Sequence, residues 1–300
     1  MLYIQDIEVT PNPQALKFVV NEKEDLNEIN NLVKKLKVPH NNIYLMPQGI
    51  TTKQFKEKSN WIIEECIKNK YNFFKKMSFL ISFFIDYKKY KKINKNKQFG
   101  LKTEDLFPRI YDKTTTTPLD PIYFLQNNWC AKKIFKNKPE KHFDVGSDAK
   151  FIGLISQFTP TTIVDIRPLT IEQSGLLFIK GSILDLPFKD GEVESLSSLC
   201  VIEHIGLGRY GDSFDSLGSE KSIREIKRVL AKEGNLYISV PIDDKNRTYF
   251  NAHRSFTKKY VLELFKPLKL IEEKYIYGAN VYENYQPEKG FGTGLFWFKK

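Results

Sequence analysis

Three aspartates follow three successive apolar segments in the C-terminal half of the chain. Asp144 ends the first segment, Asp165 ends the second, and Asp185 follows the third. Gly146 comes just after Asp144, where a glycine lets the chain turn sharply and bring backbone N–H groups to a ligand. Asp165 lies nineteen residues after Gly146, and a carboxylate there accepts hydrogen bonds from both ribose hydroxyls. Three acids at three strand ends therefore predict a site for a nucleoside cofactor.

The residues beside these acids complete the predicted site. Asp185 lies in the segment GSILDLPFKDG, where its side chain or the neighbouring backbone meets the adenine amino group. The apolar side chains of Leu186 and Phe188 are then expected to pack against the adenine ring. The predicted cofactor-binding residues are Asp144, Gly146, Ser147, Asp165, Ile166, Asp185 and Leu186.

Two further polar groups follow the fourth and fifth strand candidates and predict an acceptor site. Histidine titrates near neutral pH, so His204 or His253 is a candidate base for removing a proton from a nucleophile. The alternative is that His204 only orients Glu203 or a loop, and that His253 and Arg254 cap the next helix. The predicted catalytic residues are Glu203, His204 and His253, and the predicted substrate-binding residues are Arg209, Asn251 and Arg254.

A glycine-rich polar segment, GLGRYGDSFDSLG, separates these two groups. Its position over the strand ends predicts an acceptor-binding lid, in which Arg209, Asp212 and Asp215 contact a polar substrate. An inert surface loop is the alternative.

The elements that position these residues alternate between strand and helix patterns, as a parallel sheet requires. The five strand candidates are HFDVGS, TTIVDIR, LLFIKGS, VESLSSLCVI and GNLYISVP. Residues 219–234 predict an amphipathic helix, and LKLIEEKYIYG and GTGLFWFKK predict two final strands. The predicted fold class is α/β, a doubly wound, mostly parallel seven-stranded sheet with a small N-terminal βαβα segment.

Three regions are predicted along the chain. Residues 1–72 contain the βαβα segment, whose second helix begins after Thr51 or Thr52. Residues 73–140 contain an apolar helix, a lysine-rich linker and a lead-in helix. Residues 141–300 form the doubly wound domain.

Charge and cysteine content narrow the function classes. The formal net charge is +11, but residues 71–100 contain eight lysines against one acid, which leaves only +4 elsewhere. This concentration argues against a nucleic-acid partner. Cys66, Cys130 and Cys200 are scattered, so we predict no metal site and a reducing cytosol. The opening residues contain no basic signal-peptide region, which favours a cytoplasmic location.

Residues 73–97 combine the apolar run FFKKMSFLISFFIDY with six lysines between Lys88 and Lys97. No uncharged run approaches the ~20 residues that a spanning helix needs. One interpretation is peripheral membrane contact with anionic lipid. We favour the other, a helix packed on the main domain and followed by a solvated linker, because aromatic stripes near helical spacing are usually core.

Several motifs resemble the successive sequence motifs of class I methyltransferases that use S-adenosylmethionine (AdoMet). These motifs are FDVGS, IVDIR, GSILDLPFKDGEVESLSSLCVIEHIG and REIKRVLAKEGNLYISVP. Residues 79–298 as a whole resemble an uncharacterised methyltransferase-like family. The resemblance implies AdoMet as cofactor and methyl transfer to a small polar acceptor, such as a sugar or nucleotide-sugar in surface glycan synthesis.

The first loop departs from the family pattern D-x-G-x-G-x-G. Asp148 and Lys150 replace the second and third glycines. Asp148 would repel the carboxylate of the cofactor, pair with its ammonium group, or cap the following helix. A catalytically silent protein with the methyltransferase fold is therefore one alternative. A second is an NAD-type oxidoreductase, although the G-x-G-x-x-G motif is absent.

The N-terminal segment resembles the C-terminal part of carboxydeazaguanine synthase, a radical-AdoMet enzyme of the queuosine pathway. The similar stretches are KFVVNEKEDLNEI, NNIYLMPQGIT and SNWIIEECIKNKYNF. That family holds its iron–sulfur cluster on a C-x-x-x-C-x-x-C triplet, which this sequence lacks. The resemblance therefore implies a relic or docking module without radical chemistry.

Overall fold

The fold is described from a computed structural model. It describes residues 3–4, 16–20, 22–36, 39–40, 43–47, 62, 64–66, 68–69 and 74–300. The chain divides into two compact units, residues 1–117 and 118–300.

The first unit contains a three-stranded sheet with helices. Its strands are β1 (Tyr3–Ile4), β2 (Leu16–Val20) and β3 (Ile43–Pro47), and its α-helices are Asp25–Leu36 and Phe74–Ile93. β2 pairs in parallel with β3, whereas the short β1 adds to β2 in antiparallel fashion. This strand–helix–strand order is the one predicted, and β1 is an addition to it. The predicted helix from Thr51 or Thr52 to Lys70 lies largely outside the described residues.

The second unit contains ten strands and four α-helices. The strands are β4 (His142–Val145), β5 (Thr161–Asp165), β6 (Leu176–Lys180), β7 (Val193–Leu199), β8 (Leu230–Ile242), β9 (Arg247–Tyr249), β10 (His253–Ser255), β11 (Lys269–Tyr277), β12 (Asn280–Tyr282) and β13 (Gly292–Lys299). The helices are Pro121–Asn137, Ala149–Ile155, Gly218–Val229 and Lys258–Phe265.

Eight of these strands form one sheet in the order β12-β11-β13-β8-β7-β4-β5-β6. The five strands from β4 to β8 are parallel to their neighbours within that group. β13, β11 and β12 continue the sheet with antiparallel pairings. Five parallel strands followed by an antiparallel hairpin is the architecture predicted for the AdoMet-methyltransferase fold, and it is confirmed. The predicted count of seven strands omits β12, a three-residue edge strand.

Helices cover both faces of this sheet, so it is doubly wound. On one face, helices Gly218–Val229 and Lys258–Phe265 contribute Ile226 and Phe265 to a core that includes Ile238 and Phe296. On the other face, helix Pro121–Asn137 contributes Trp129 and Ile134 to a second core. Burial of these apolar surfaces is the main favourable term that holds the helices on the sheet.

The helix predicted for residues 219–234 ends earlier than its sequence pattern suggests. The helix is Gly218–Val229, and Leu230 already pairs with Val193 on β7. Glu233 has a positive φ of 61°. A Cβ atom on Gly234 would lie 2.8 Å from the carbonyl oxygen of Ala231. The chain therefore turns within the first residues of β8, and a side chain at residue 234 would not fit there.

The order of connections reverses between β4 and β7. The chain runs outward from β4 to β5 and β6, and then returns to the other side of β4 to form β7 and β8. In open α/β sheets, ligands bind outside the carboxyl ends of the strands at such a switch point. Within the described part of the chain, no helix is long and apolar enough to cross a membrane.

Candidate active site

A cavity of about 760 Å³ lies in the second unit, at the carboxyl ends of β4, β5, β6 and β7. It therefore occupies the switch point of the sheet. It is lined by residues 145–150, 163–169, 181–184 and 199–201, together with Asp120, Tyr123, Phe178, His204, Ile205, Tyr210 and Asp212.

Asp144 lies beneath the cavity and holds the loop that follows β4. Its carboxylate is fully buried and accepts hydrogen bonds from the backbone N–H and the hydroxyl of Ser147, at 2.9 and 2.7 Å. Ser197 on β7 donates a further hydrogen bond to it. Burial raises the pKa of Asp144 to about 6, and the hydrogen bonds from Ser147 and Ser197 oppose that rise. Asp144 thus positions the loop without lining the cavity.

Gly146 and Ser147 form the turn that closes the cavity at the end of β4. Gly146 has a φ of +71°, a conformation that L-residues rarely adopt. A Cβ atom on Gly146 would lie 3.1 Å from Val201 and 3.9 Å from the Oδ2 atom of Asp165. The missing side chain therefore leaves open the space between the turn and the carboxylate of Asp165.

Asp148 and Lys150 line the cavity where the methyltransferase pattern has glycines. Asp148 is the N-cap residue of helix Ala149–Ile155, and its Oδ1 atom accepts a hydrogen bond of 3.2 Å from the backbone N–H of Lys150. The amide of Asn127 lies 3.5 Å from the other carboxylate oxygen. Of the roles considered for Asp148, helix capping is the one that its contacts display.

Asp165 lies in the cavity wall at the end of β5, with Ile166 beside it. Its Oδ1 atom accepts a hydrogen bond of 2.8 Å from the backbone N–H of Arg167 and lies 3.4 Å from the guanidinium of that residue. The Arg167 guanidinium also lies 4.6 Å from the centre of the Tyr210 ring. Asp165 is thus a positioned carboxylate with its other oxygen toward Gly146.

The third strand places different residues in the cavity from those selected by sequence. Asp185 is exposed and lies outside the cavity, and Leu186 is buried in the core, where its backbone N–H donates to Glu225. The residues that line the cavity are Gly181, Ser182, Ile183 and Leu184. These four residues precede Asp185 in the sequence and carry no charge, so charge alone does not mark them as part of the site.

Glu203 and His204 lie in a short 3₁₀ helix, Ile202–His204, directly after β7. His204 lines the cavity, whereas Glu203 is only 1% exposed and lies behind it. The Nε2 atom of His204 lies 3.8 Å from the Oε1 atom of Glu203. Burial raises the pKa of Glu203 to about 8, so this carboxyl is protonated at neutral pH.

His204 is neutral in this environment, and its tautomer follows from its contacts. Burial lowers the pKa of His204 to about 4. Nδ1 lies 2.6 Å from the carbonyl oxygen of Ala252, which only accepts, so Nδ1 carries the proton. Nε2 is therefore the nitrogen with a free lone pair. A cavity-lining histidine in this state can accept a proton or a hydrogen bond.

The residues predicted after the fifth strand do not line the cavity. His253 is in β10, with its ring 6.4 Å from that of His204 and 5.3 Å from that of Phe291. Asn251 is exposed in the β9–β10 turn, where its φ is +61°. Helix Lys258–Phe265 is capped by Thr257, so the alternative cap role for His253 is wrong.

Arg254 and Arg209 hold the polar segment 206–218 in place. The Arg254 guanidinium donates to the carbonyl oxygens of Ile205 and Asp215, at 2.6 and 3.1 Å, and to the Ser219 hydroxyl at 3.0 Å. Arg209 donates to the carbonyl oxygen of Ala252 at 3.0 Å. Both cations are therefore engaged with the protein itself, and Arg254 cannot cap the following helix while it makes these contacts.

The segment 206–218 is internally braced and reaches the cavity through two residues. Asp212 accepts hydrogen bonds from the backbone N–H groups of Gly206 and Tyr210, at 2.6 and 3.3 Å. Asp215 pairs with Lys221 at 2.5 Å. Tyr210 and Asp212 line the cavity, and the Tyr210 ring lies 5.5 Å from the ring of His204.

Sequence reasoning missed the contribution of helix Pro121–Asn137. Asp120 caps this helix by accepting from the backbone N–H groups of Ile122 and Tyr123, and both Asp120 and Tyr123 line the cavity. The Asp-Pro pair marks the helix start, but nothing in the sequence places that start over a sheet that begins twenty-one residues later. Among the described residues, no group of three or more acid, histidine or cysteine side chains could hold a metal ion.

Comparisons with known sequences give two partial matches. A profile of the family described as Caenorhabditis protein of unknown function, DUF268, matches residues 189–274. The 7-carboxy-7-deazaguanine synthase of Rhodopirellula baltica is 34% identical over 74 residues, which is 25% of this chain and 27% of that protein. The chain therefore spans about a quarter of the length of the curated relative that it matches.

Solved structures with a similar fold include methyltransferases of low identity. The 1,6-didemethyltoxoflavin-N1-methyltransferase of Burkholderia thailandensis, solved with S-adenosylhomocysteine, is 15% identical, with 58% of this chain and 78% of that chain covered and a TM-score of 0.44. The N-methyltransferase NodS of Bradyrhizobium japonicum WM9 is 13% identical, with 60% and 88% covered and a TM-score of 0.44. The [4+2]-cyclase SpnF is 11% identical, with 58% and 80% covered and the same score. Values this low leave the fold assignment resting on the strand order itself.

Proposed function

We propose that the second unit is an AdoMet-dependent methyltransferase that acts on a small polar acceptor. The observation that carries this proposal is the cavity at the switch point, where the open turn at Gly146 faces the carboxylate of Asp165. A glycine turn and a strand-end carboxylate are what a nucleoside cofactor needs from the ends of the first two strands. The antiparallel hairpin after the fifth parallel strand supports a methyltransferase over an NAD-type enzyme.

The cavity residues fit each part of such a cofactor. The carboxylate of Asp165 accepts hydrogen bonds from the ribose hydroxyls, and the turn at Gly146 and Ser147 lies where the methionine part would be held. Ser182 to Leu184 take the adenine contacts that Asp185 and Leu186 were predicted to make. The bound cofactor supplies an electrophilic methyl group on a sulfonium. The protein then has to align the acceptor and remove its proton.

His204 is the residue that we assign to proton removal. Its Nδ1–H donates to the carbonyl of Ala252, and Nε2, which lies 3.8 Å from the Oε1 atom of Glu203, keeps its lone pair. Because burial lowers the pKa of His204 to about 4, the ring remains neutral over the physiological pH range. Glu203 and His253 lie behind the ring and are positioning candidates, not groups that touch the acceptor.

The charge of the cavity wall favours an acceptor without phosphate. Four carboxylates line the cavity, those of Asp120, Asp148, Asp165 and Asp212, against two cations, Lys150 and Arg167. A diphosphate would meet like charge on most sides, which is unfavourable in a partly dry cavity. A sugar hydroxyl fits this wall better than a nucleotide-sugar does, and it is the acceptor class that we propose.

A second candidate function is a silent protein that has kept the fold. The observation that favours it is the side chain of Asp148 in the cavity wall, where a glycine would admit the cofactor's carboxylate.

Calorimetric titration of the purified chain with AdoMet, S-adenosylhomocysteine (AdoHcy) and NAD separates the candidates. We expect both adenosyl ligands to bind and NAD to give no heat. Binding of none of the three would contradict the enzyme, and binding of NAD alone would replace the methyltransferase by an oxidoreductase.

A further inference from the structure

A buried chain of hydrogen bonds runs from β7 through β4 to the loop beneath the cavity. His142 is fully buried, with Nδ1 2.9 Å from the Ser195 hydroxyl and Nε2 2.9 Å from the Ser197 hydroxyl. The Ser197 hydroxyl contacts the Oδ2 atom of Asp144. Asp144 also accepts from both the N–H and the hydroxyl of Ser147.

The carboxylate at the end of this chain assigns the position of each proton. An ionised Asp144 only accepts, so Ser197 must donate to it. The Ser197 oxygen is then free to accept from His142, which places the histidine proton on Nε2. The bare Nδ1 accepts from the Ser195 hydroxyl. Burial lowers the pKa of His142 to about 3, in agreement with a neutral ring that carries one proton.

The hydrogen bonds of Ser147, in the loop after β4, also fit an ionised Asp144 that only accepts. The Ser147 hydroxyl donates to Asp144 at 2.7 Å and accepts from the backbone N–H of Leu199 at 2.9 Å. Every donor around the carboxylate is thus directed toward it. If Asp144 were protonated, its O–H would need a hydrogen-bond acceptor. The hydroxyl of Ser147 or Ser197 would then have to rotate, so that its oxygen accepts from Asp144 instead of donating to it. Hydrogen bonds in such a chain polarise and strengthen one another.

We propose that His142 is a positioning residue of the cofactor site, which acts through Ser197 to fix the carboxylate of Asp144 and thereby the turn at Gly146 and Ser147. The inference rests on the proposed function, because this turn is the one assigned to the cofactor. Of all the links in the chain, only Ser147 itself reaches the cavity.

The groups that face Asp144 come from four elements. Ser197 on β7 and Ser147 in the loop lower the pKa of Asp144, while burial and, to a smaller extent, Asp165 at the end of β5 raise it. Cys130, on helix Pro121–Asn137, is buried beside Ser197, and its raised pKa keeps it an uncharged thiol. Loss of a donor along the chain should therefore raise the pH at which Asp144 takes up a proton.

The test is AdoHcy affinity as a function of pH, measured by calorimetry on the full chain and on four variants. For the wild type, affinity should fall as pH drops through about 6, where Asp144 becomes protonated. Ser197→Ala removes a charge-assisted bond and should raise this midpoint by about one pH unit. His142→Leu should raise it by a few tenths of a pH unit or more, because Ser197 loses the donor that orients it. His142→Gln should restore the wild-type midpoint, since its amide N–H can replace Nε2–H.

Ser198→Ala is the matched control. Ser198 lies on the same strand as Ser197, but its hydroxyl donates to the carbonyl oxygen of Val145 at 3.0 Å and takes no part in the hydrogen-bond series from His142 to Asp144. Its midpoint should equal that of the wild type. A wild-type midpoint in His142→Leu would overturn the proposal.

Imidazole nitrogen NMR provides a readout that needs no ligand: a His142 proton on Nδ1 would also overturn it. If the wild type binds no AdoHcy at any pH, the proposed function fails, and the imidazole and Asp144 carboxyl resonances still decide whether the chain operates.

Discussion

At the scale of single residues, Glu203 is a buried acid that retains its proton at neutral pH. Its Oε2 atom has no hydrogen-bond partner among the described residues, and its nearest basic group, His204, is neutral. Burial therefore raises the pKa of Glu203 to about 8, well above that of the unfolded chain. Below the unfolded pKa both states are protonated; as pH rises toward 8, only the unfolded chain gains by ionising, so the fold loses stability.

Glu203→Gln should remove this loss. Between pH 6.5 and 8 the unfolded chain releases the remaining protons of His142 and His204, which adds the same stability to wild type and variant, so the difference between the two proteins reports Glu203. Over this interval the wild type should lose about 2 kcal/mol of unfolding free energy relative to Glu203→Gln, measured by urea denaturation. The exposed Glu194→Gln on β7 should behave like the wild type. Parallel pH profiles for wild type and Glu203→Gln would argue against a protonated Glu203.

Residue type and spacing locate the region of the site, but not the direction of each side chain. Asp144 lies within β4, Asp165 ends β5 and Asp185 follows β6, and the first lies beneath the loop, the second in the cavity wall and the third in solvent. The spacing of the acids does not encode where each strand ends, and that position decides which way each side chain is directed. The direction of Asp144 also depends on Ser197, a residue fifty-three positions away whose pairing appears only in the sheet.

At the scale of elements, the segment 206–218 is held in place by two arginines, of which Arg254 makes more hydrogen bonds than Arg209. Arg254 donates to the carbonyl oxygen of Ile205, just before the segment, to that of Asp215 within it, and to the hydroxyl of Ser219. The predicted lid is therefore a braced loop that reaches the cavity only with Tyr210 and Asp212. Opening it requires those bonds to break together.

Arg254→Lys should loosen this loop selectively, because one ammonium group cannot reproduce the fork of the guanidinium. Loss of a charge-assisted bond lowers the local opening free energy by roughly 2 kcal/mol, so amides 206–217 should exchange with deuterium about 30-fold faster. Amides of β4 to β8 should be unchanged. Arg224→Lys, at an exposed position of helix Gly218–Val229, provides the control. Uniform acceleration over the whole second unit would mean that Arg254 stabilises the fold and not the loop.

The order of elements in the second unit follows from periodicity, whereas two boundaries do not. Alternating strand and helix patterns predict the five parallel strands and the final hairpin because buried strands and amphipathic helices have different repeats. The helix pattern continues through Leu230, but pairing with Val193 draws that residue into β8. The short β12 pairs only with β11 at the sheet edge, and three residues are too few to produce a sequence pattern.

At the scale of the whole molecule, positive charge is concentrated in one segment of the first unit. Six lysines between Lys88 and Lys97 follow or lie within the end of helix Phe74–Ile93, and all six are exposed. Phe84, Ile85 and Ile93 are also exposed, at positions that surround the helix instead of sharing one face. Residues 82–97 therefore present positive charge without a shared apolar face.

Flotation with phosphatidylserine vesicles tests whether anionic lipid is a partner of this segment. The favoured interpretation, a solvated lysine-rich linker, predicts that the wild type stays in the dense fraction at low salt, as does the variant with all six lysines changed to glutamine. Flotation of the wild type alone, reversed by salt, would contradict this interpretation and favour electrostatic recruitment, since each lysine near an anionic surface contributes roughly 1 kcal/mol.

The central claim is that Asp165 holds the cofactor in the cavity of the second unit. Its most direct test is AdoHcy titration of Asp165→Asn beside Asp185→Asn, two identical carboxylate-to-amide changes at strand ends, one inside the cavity and one outside it. Loss of a charge-assisted acceptor for the ribose should weaken binding about 10- to 100-fold in Asp165→Asn. Asp185→Asn should bind within about twofold of the wild type, since surface changes have small effects. Unchanged affinity in Asp165→Asn, or an equal loss in both variants, would contradict the account.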